Sequence, residues 1–182
     1  YGLITYVTDL ARIPVEAEKY DLILCTQVLE HVPDPRTVLK EFYRVLKEGG
    51  ALWVSAPLFY TEHQVPYDFY RYTQYGFKHL LEEAGFQIER VERLEGYYGT
   101  LAYEMDMAAR VLPVSAKQYG GGPVGLLAGL AAAALKPVFF LLSLLYSRLD
   151  LRYKNVSAGH CKNYAAVARK PETKASSSQI TA

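Results

Sequence analysis

The chain has 182 residues, 20 Lys+Arg against 19 Asp+Glu, and a formal net charge of +1. Hydrophobic residues make up 51% and charged residues 21%, which excludes a disordered polymer and predicts one domain with room for an appendage. So small a charge argues against nucleic acid as a partner, because neutralising phosphates needs a surplus of Lys and Arg. Cys25 and Cys161 are too few for a disulfide framework, and a reducing compartment, the cytoplasm, is expected.

The sequence opens at Tyr1 without the charged and apolar stretches of a signal peptide, and reads as truncated at its N-terminus. Leu3 to Val7 reads as a short strand that turns at Thr8-Asp9. Asp21 to Cys25 (D-L-I-L-C) is a continuous apolar run, the mark of a strand covered on both faces. Asp34-Pro35 supplies an N-cap and an N1 proline for a helix carrying Val38, Leu39, Phe42, Val45 and Leu46, with Gly49-Gly50 as its stop. Ala51 to Ala56 is the next buried strand, closed by Pro57. A long aromatic loop, Leu58 to Tyr72, leads to Thr73, which caps a helix ended by Gly85. Phe86 to Leu94 alternates as a half-exposed strand should. The pattern is an α/β fold: a Rossmann-like, mainly parallel sheet with flanking helices.

Tyr98 to Leu112 reads as a helix that Gly120 to Pro123 interrupts. Val124 to Tyr146 is then apolar apart from Lys136, beside Pro137, and is long enough to span a bilayer. A single crossing would part the final strand, Asn163 to Ala168, from its sheet. Two short helices forming a hairpin that dips into lipid, or one kinked helix lying in the interface beside Arg148, Arg152 and Lys154, avoid that problem. A helical cap packed on the domain is the bland reading, and membrane contact through residues 124–146 is preferred to it. The chain divides into a core over residues 1–97, an apolar helical insertion over 98–155, a last core strand in 156–170 and a disordered tail over 171–182.

Several segments together resemble the class I S-adenosylmethionine-dependent methyltransferases (the type 11-like group). They are T-D-L-A-R-I-P at Thr8 to Pro14, Asp21 opening a strand, V-L-E-H-V at Val28 to Val32, R-V-L-K-E-G-G at Arg44 to Gly50, and E-E-A-G-F at Glu82 to Phe86. The resemblance runs from residue 8 to 94. It implies S-adenosyl-L-methionine as cofactor, with Asp9 accepting from the adenine amino group, Leu10 packing on the ring, and Thr26, Gln27 and Val28 lining the methionine side. The family's first strand, glycine-rich turn and ribose-holding acid have no counterpart here. Gly120 to Pro123 does not replace them, since no strand precedes it. An N-terminally incomplete sheet, inactive alone, is therefore expected.

Thr61 to Thr73 (T-E-H-Q-V-P-Y-D-F-Y-R-Y-T) resembles a signature of a bacterial subgroup associated with surface-polysaccharide gene clusters. In that setting His63 is the best-matched base for a hydroxyl acceptor and Asp68 the second. Arg71 either clamps an anionic acceptor or pairs with Asp68 to brace the loop. Some family members bind a divalent metal through E-x-x-E-H. Here Gln27 stands at the first position, so Glu30 and His31 are read as ordering the turn before Pro33, and no metal is expected. The reading is methyl transfer to a small-molecule, glycan or lipid-linked acceptor by a protein at most peripheral or monotopic at the membrane. A non-catalytic membrane-associated binding module with the same fold is the alternative, and a nicotinamide oxidoreductase the poorer third.

Overall fold

A computed structural model of the chain describes residues 5–172. It resolves into two compact units, one within Tyr1–Glu92 and Asn163–Ala182, the other Arg93–Lys162.

The first unit is built on a four-stranded mixed sheet of order β1-β2-β4-β3. Its strands are β1 (Tyr20–Thr26), β2 (Leu46–Pro57), β3 (Gln87–Arg93) and β4 (Asn163–Arg169). β1 and β2 run parallel, with Ile23 opposite Leu52 and Cys25 opposite Val54. The last strand enters antiparallel to β2, from Ala51 opposite Arg169 to Pro57 opposite Asn163. Between the parallel strands lies α1 (Pro35–Val45), started by Asp34, whose carboxylate accepts from the N–H groups of Arg36 and Thr37. Its buried stripe of Val38, Leu39, Phe42 and Val45 packs with Leu52, Val54 and Ala56 of β2 in the core. Helix α2 (Gln74–Glu83) is capped by Thr73 and buries Phe77 and Leu81. It stops at Gly85, where φ is +97° and a Cβ would come within 3.0 Å of the Tyr43 ring.

Three expectations change. Residues 5–7 form no strand, and Leu3 and Ile4 lie outside the described residues. β1 is not covered on both faces: Leu22 and Leu24 are 56% and 68% exposed on a strand at the sheet edge. α1 also ends earlier than Gly49-Gly50, and β2 begins at Leu46. The Gly49 N–H donates to Lys170 O at 2.9 Å and the Lys170 N–H to Gly50 O at 3.0 Å, so pairing with the far end of the chain draws this segment into the sheet.

The second unit pairs α3 (Tyr97–Val111) with α4 (Gly122–Arg152). α4 is one helix running through Pro137, which overturns the hairpin. The one charge in its apolar stretch 124–146 is explained: Lys136 Nζ donates to Arg110 O at 3.1 Å, satisfying a carbonyl at the end of α3. Small residues Gly125 and Gly129 let α4 approach the chain at Val114–Ala116 closely, since a Cβ at either would fall 2.5 Å from a backbone oxygen there. Much of the remaining α4 surface is apolar and exposed, including Leu127, Leu130, Phe140, Leu141 and Leu145. The tail from residue 173 lies outside the described residues.

Candidate active site

Parallel strands deliver their following loops to the same end of the sheet, where ligands bind in open α/β folds. After β1, Gln27 adopts a left-handed backbone (φ +53°). Its N–H donates to Ser55 O at 3.0 Å and its side-chain amide to Ser55 Oγ at 3.1 Å, so the turn is locked to β2. A 3₁₀ turn, Leu29–His31, follows. After β2, residues 58–73 fold back over that turn. The Phe69 N–H donates to Glu30 O at 2.8 Å, and the buried Tyr72 hydroxyl donates to Leu29 O at 2.8 Å.

Within the loop, His63, Asp68 and Arg71 come together. Arg71 Nη1 and Nη2 donate to the two Asp68 oxygens at 2.6 and 2.8 Å. The guanidinium also donates to the carbonyls of Tyr60, Thr61 and Tyr70. Five contacts match the five N–H groups of arginine, so this side chain braces the loop and holds no donor back for an acceptor anion. Asp68 further accepts the His63 N–H at 2.8 Å. Arg71 holds its carboxyl well below the ordinary 3.8.

His63 is met from the other loop by His31. Their Nε2 atoms are 3.0 Å apart, with the rings edge-on. His31 Nδ1 lies 2.6 Å from Tyr67 O, and His63 Nδ1 lies 3.1 Å from Thr61 O. Glu30 stands behind the pair, its side chain fully buried and its Oε1 3.8 Å from His31 Nε2. Neither Glu30 oxygen has a hydrogen-bond partner, and burial pushes its carboxyl above the ordinary 4.5. Both nitrogens of His63 thus have neighbours within hydrogen-bond distance, and a proton at its Nε2 would be shared with His31. The sequence reading treated Glu30-His31 and His63 separately. The available signal was that they follow the ends of two parallel strands.

The cofactor-side residues are partly brought together. Leu10 and Val28 line an apolar cleft of ≈ 320 Å³ with Thr8, Ile23, Leu24 and Cys25. Asp9 sits on the turn between Thr8 and Leu10, its Oδ1 accepting from the Ala11 N–H at 2.9 Å. Thr26 and Gln27 lie at the end of β1 but do not line the cleft.

Residues 2–54 match the family model described as "Methyltransferase domain". Over 51 residues the chain is 45% identical to a ubiquinone biosynthesis O-methyltransferase of Marinobacter nauticus, covering 28% of this chain and 21% of that protein. Over 62 residues it is 40% identical to the arsenite methyltransferase of Mus musculus, covering 34% of this chain and 16% of that one. The chain thus spans about a fifth of the length of these relatives. Among solved structures, the [4+2]-cyclase SpnF aligns with a TM-score of 0.53 at 20% identity, over 92% of this chain and 56% of its own. That likeness is one of fold alone.

Proposed function

We propose that this chain, which over residues 2–54 matches the methyltransferase-domain family model, serves methyl transfer from S-adenosyl-L-methionine to an oxygen of a small-molecule acceptor. One observation carries the reading: the matched span contains Asp9, Leu10 and Thr26 to Val28, and the structure puts Leu10 and Val28 on one apolar cleft. In this reading Asp9 Oδ2 accepts from the adenine amino group, Leu10 and Val28 pack on the ring, and Thr26 and Gln27 border the methionine side. When bound, the cofactor supplies an electrophilic methyl on a sulfonium. The chain's own residues do the rest.

The acceptor end is the loop after β2. Methyl transfer needs the nucleophile held in line, and the Asp68–Arg71 brace fixes the loop that would hold it. Tyr67, Phe69 and Tyr70 stay exposed there and offer aromatic surface to an acceptor ring or sugar. Loss of the acceptor proton is assigned to the His31–His63 pair backed by Glu30 rather than to His63 singly. The name of the Marinobacter relative favours oxygen as the methylated atom.

A lipid-linked or glycan acceptor is the finer form of this reading. α4 supports it, being 31 residues long with a mean hydropathy of 2.0 over a window that is only 17% buried. A helix this long and apolar all round suits entry into lipid, with Arg148, Arg152 and Lys154 near its end to meet anionic headgroups.

The test is calorimetric binding of S-adenosylhomocysteine to the intact protein that carries this chain, followed by transfer of a labelled methyl group to catechol-type and lipid-linked hydroxyl acceptors. Binding that Asp9→Ala weakens, with label appearing on oxygen, is expected. No binding by the intact protein would leave the non-catalytic module as the better description.

A further inference from the structure

We propose that the cleft where α3 ends against the middle of α4 binds the phosphate group of an anionic phospholipid. The cleft measures ≈ 410 Å³ and is lined by Asp106, Ala109, Arg110, Lys136, Pro137 and Phe140. That volume lies within the usual range of small-ligand sites, about 300–1,000 Å³. Every lining residue belongs to the second compact unit.

The argument starts from charge counting. Asp106 Oδ2 accepts from Arg110 Nε at 2.7 Å, so the carboxylate on the cleft is matched by the guanidinium. Lys136 Nζ meets a neutral group, the Arg110 carbonyl oxygen at 3.1 Å, and has no ion-pair partner among the described residues. The C-terminus of α3 adds no more than a partial negative charge. One full positive charge is therefore left over, on the lone ionisable side chain of residues 124–146. A lysine in so apolar a setting is costly unless an anion meets it.

The donors for that anion are in place. An ammonium has three N–H groups, and the Arg110 carbonyl takes one. Asp106 fixes the guanidinium through Nε, while Nη1 and Nη2 make no hydrogen bond among the described residues. Guanidinium N–H groups beside an ammonium suit the oxygens of a phosphate. The Arg110 side chain is 70% exposed, so an incoming headgroup reaches it.

The surroundings of these donors select lipid over free phosphate. Ala109, Pro137 and Phe140 wall the cleft with apolar surface, and Leu135, Val138 and Leu141 stay exposed nearby along α4. Acyl chains cover such surface, whereas inorganic phosphate leaves it in water. The proposal rests on the reading that α4 enters lipid, and adds to it one defined headgroup position.

The experiment is flotation of the full chain with vesicles of phosphatidylcholine alone and of phosphatidylcholine mixed with phosphatidic acid. Calorimetry of the wild type with monomeric dihexanoyl phosphatidic acid, and with inorganic phosphate, accompanies it. Tighter binding to the acidic vesicles is expected, with one short-chain lipid held per chain and inorganic phosphate far weaker. Lys136→Gln and Arg110→Gln should each weaken short-chain lipid binding by at least about tenfold. Lys117→Gln removes the same charge from an exposed position outside the cleft and should leave that binding unchanged. The wild-type calorimetry needs no variant, so misfolding of a variant cannot mask the answer. Equal losses in Lys117→Gln and Lys136→Gln would overturn the site, as would inorganic phosphate binding as tightly as the lipid. Flotation with both vesicles but no short-chain lipid bound would overturn the site and keep the lipid reading of α4. No flotation with either vesicle would overturn that reading and the site with it.

Discussion

Arg71 holds both carboxylate oxygens of Asp68, at 2.6 and 2.8 Å, while three backbone carbonyls take its remaining N–H groups. Lysine has no planar fork and cannot reproduce this pattern. Arg71→Lys is expected to destabilise the protein by about 1–3 kcal/mol, since the nearly buried Asp68 loses most of its partners. Faster amide exchange should appear at Phe69 and Tyr70, and hydrogen-exchange mass spectrometry reads it. The folded Asp68 value lies below the ordinary 3.8, so the bridge's contribution is complete above that pH. It fades as pH falls from that value to the lowered one, where the folded carboxyl is itself protonated. A loop that loosens between pH 5 and 4 would contradict this.

Asp9 offers a sharper test of the cofactor assignment than removal of the whole side chain. In Asp9→Asn the side-chain oxygen still accepts the Ala11 N–H, now made at 2.9 Å, so the turn survives. The amide NH₂ then points where the adenine amino group needs an acceptor. Binding of S-adenosylhomocysteine is expected to weaken by roughly tenfold to a hundredfold with unchanged thermal stability, the scale of one lost charged hydrogen bond. Equal binding by Asn and Asp would remove this residue from the cofactor site.

Cys25 is buried near the C-terminal end of β1, and burial together with the nearby Glu30 charge pushes its thiol up to about 12. At pH 8 the folded protein therefore holds it as the unreactive thiol. Iodoacetamide should leave Cys25 unmodified until denaturant unfolds the sheet, as peptide mapping resolves. Rapid labelling in native buffer would mean that β1 opens readily.

Gly129 decides how closely α4 approaches the segment before it. An alanine there would gain about 1 kcal/mol in helix propensity. Against that, its Cβ would sit 2.5 Å from Val114 O, a backbone atom that cannot swing aside. The clash, costing about 1–3 kcal/mol or more, wins. A net loss of stability in Gly129→Ala, followed by thermal unfolding, is the expected result, and a gain would show that the close approach is not kept.

Local signals were legible where they act locally. Asp34 and Thr73 cap the helices their spacing announces, and Gly85 ends the second one as its neighbours suggest. The boundary at Leu46 was not legible, because distant partners set it: Leu46 stands opposite Tyr20, and Gly49 and Gly50 bond to Lys170, more than a hundred residues away. Nor does any pattern within β1 reveal that Leu22 and Leu24 face outward, since an apolar run reads alike at an edge and in the middle of a sheet. The site divides in the same way. Asp68 and Arg71, three residues apart, were readable as a pair. The meeting of His31 with His63 depends on two loops converging beyond adjacent strands, which spacing in one dimension does not encode.

The position of β4 also sets a timetable for synthesis. It belongs between β2 and β3, yet residues 94–162 separate it from β3 in the chain. At roughly 5–20 residues per second a ribosome takes several seconds to deliver it. During that interval β2 and β3 wait with open backbone edges while an apolar helix emerges beside them. Closure of the sheet therefore comes last, and an open edge on β2 is the form in which the nascent chain waits for it.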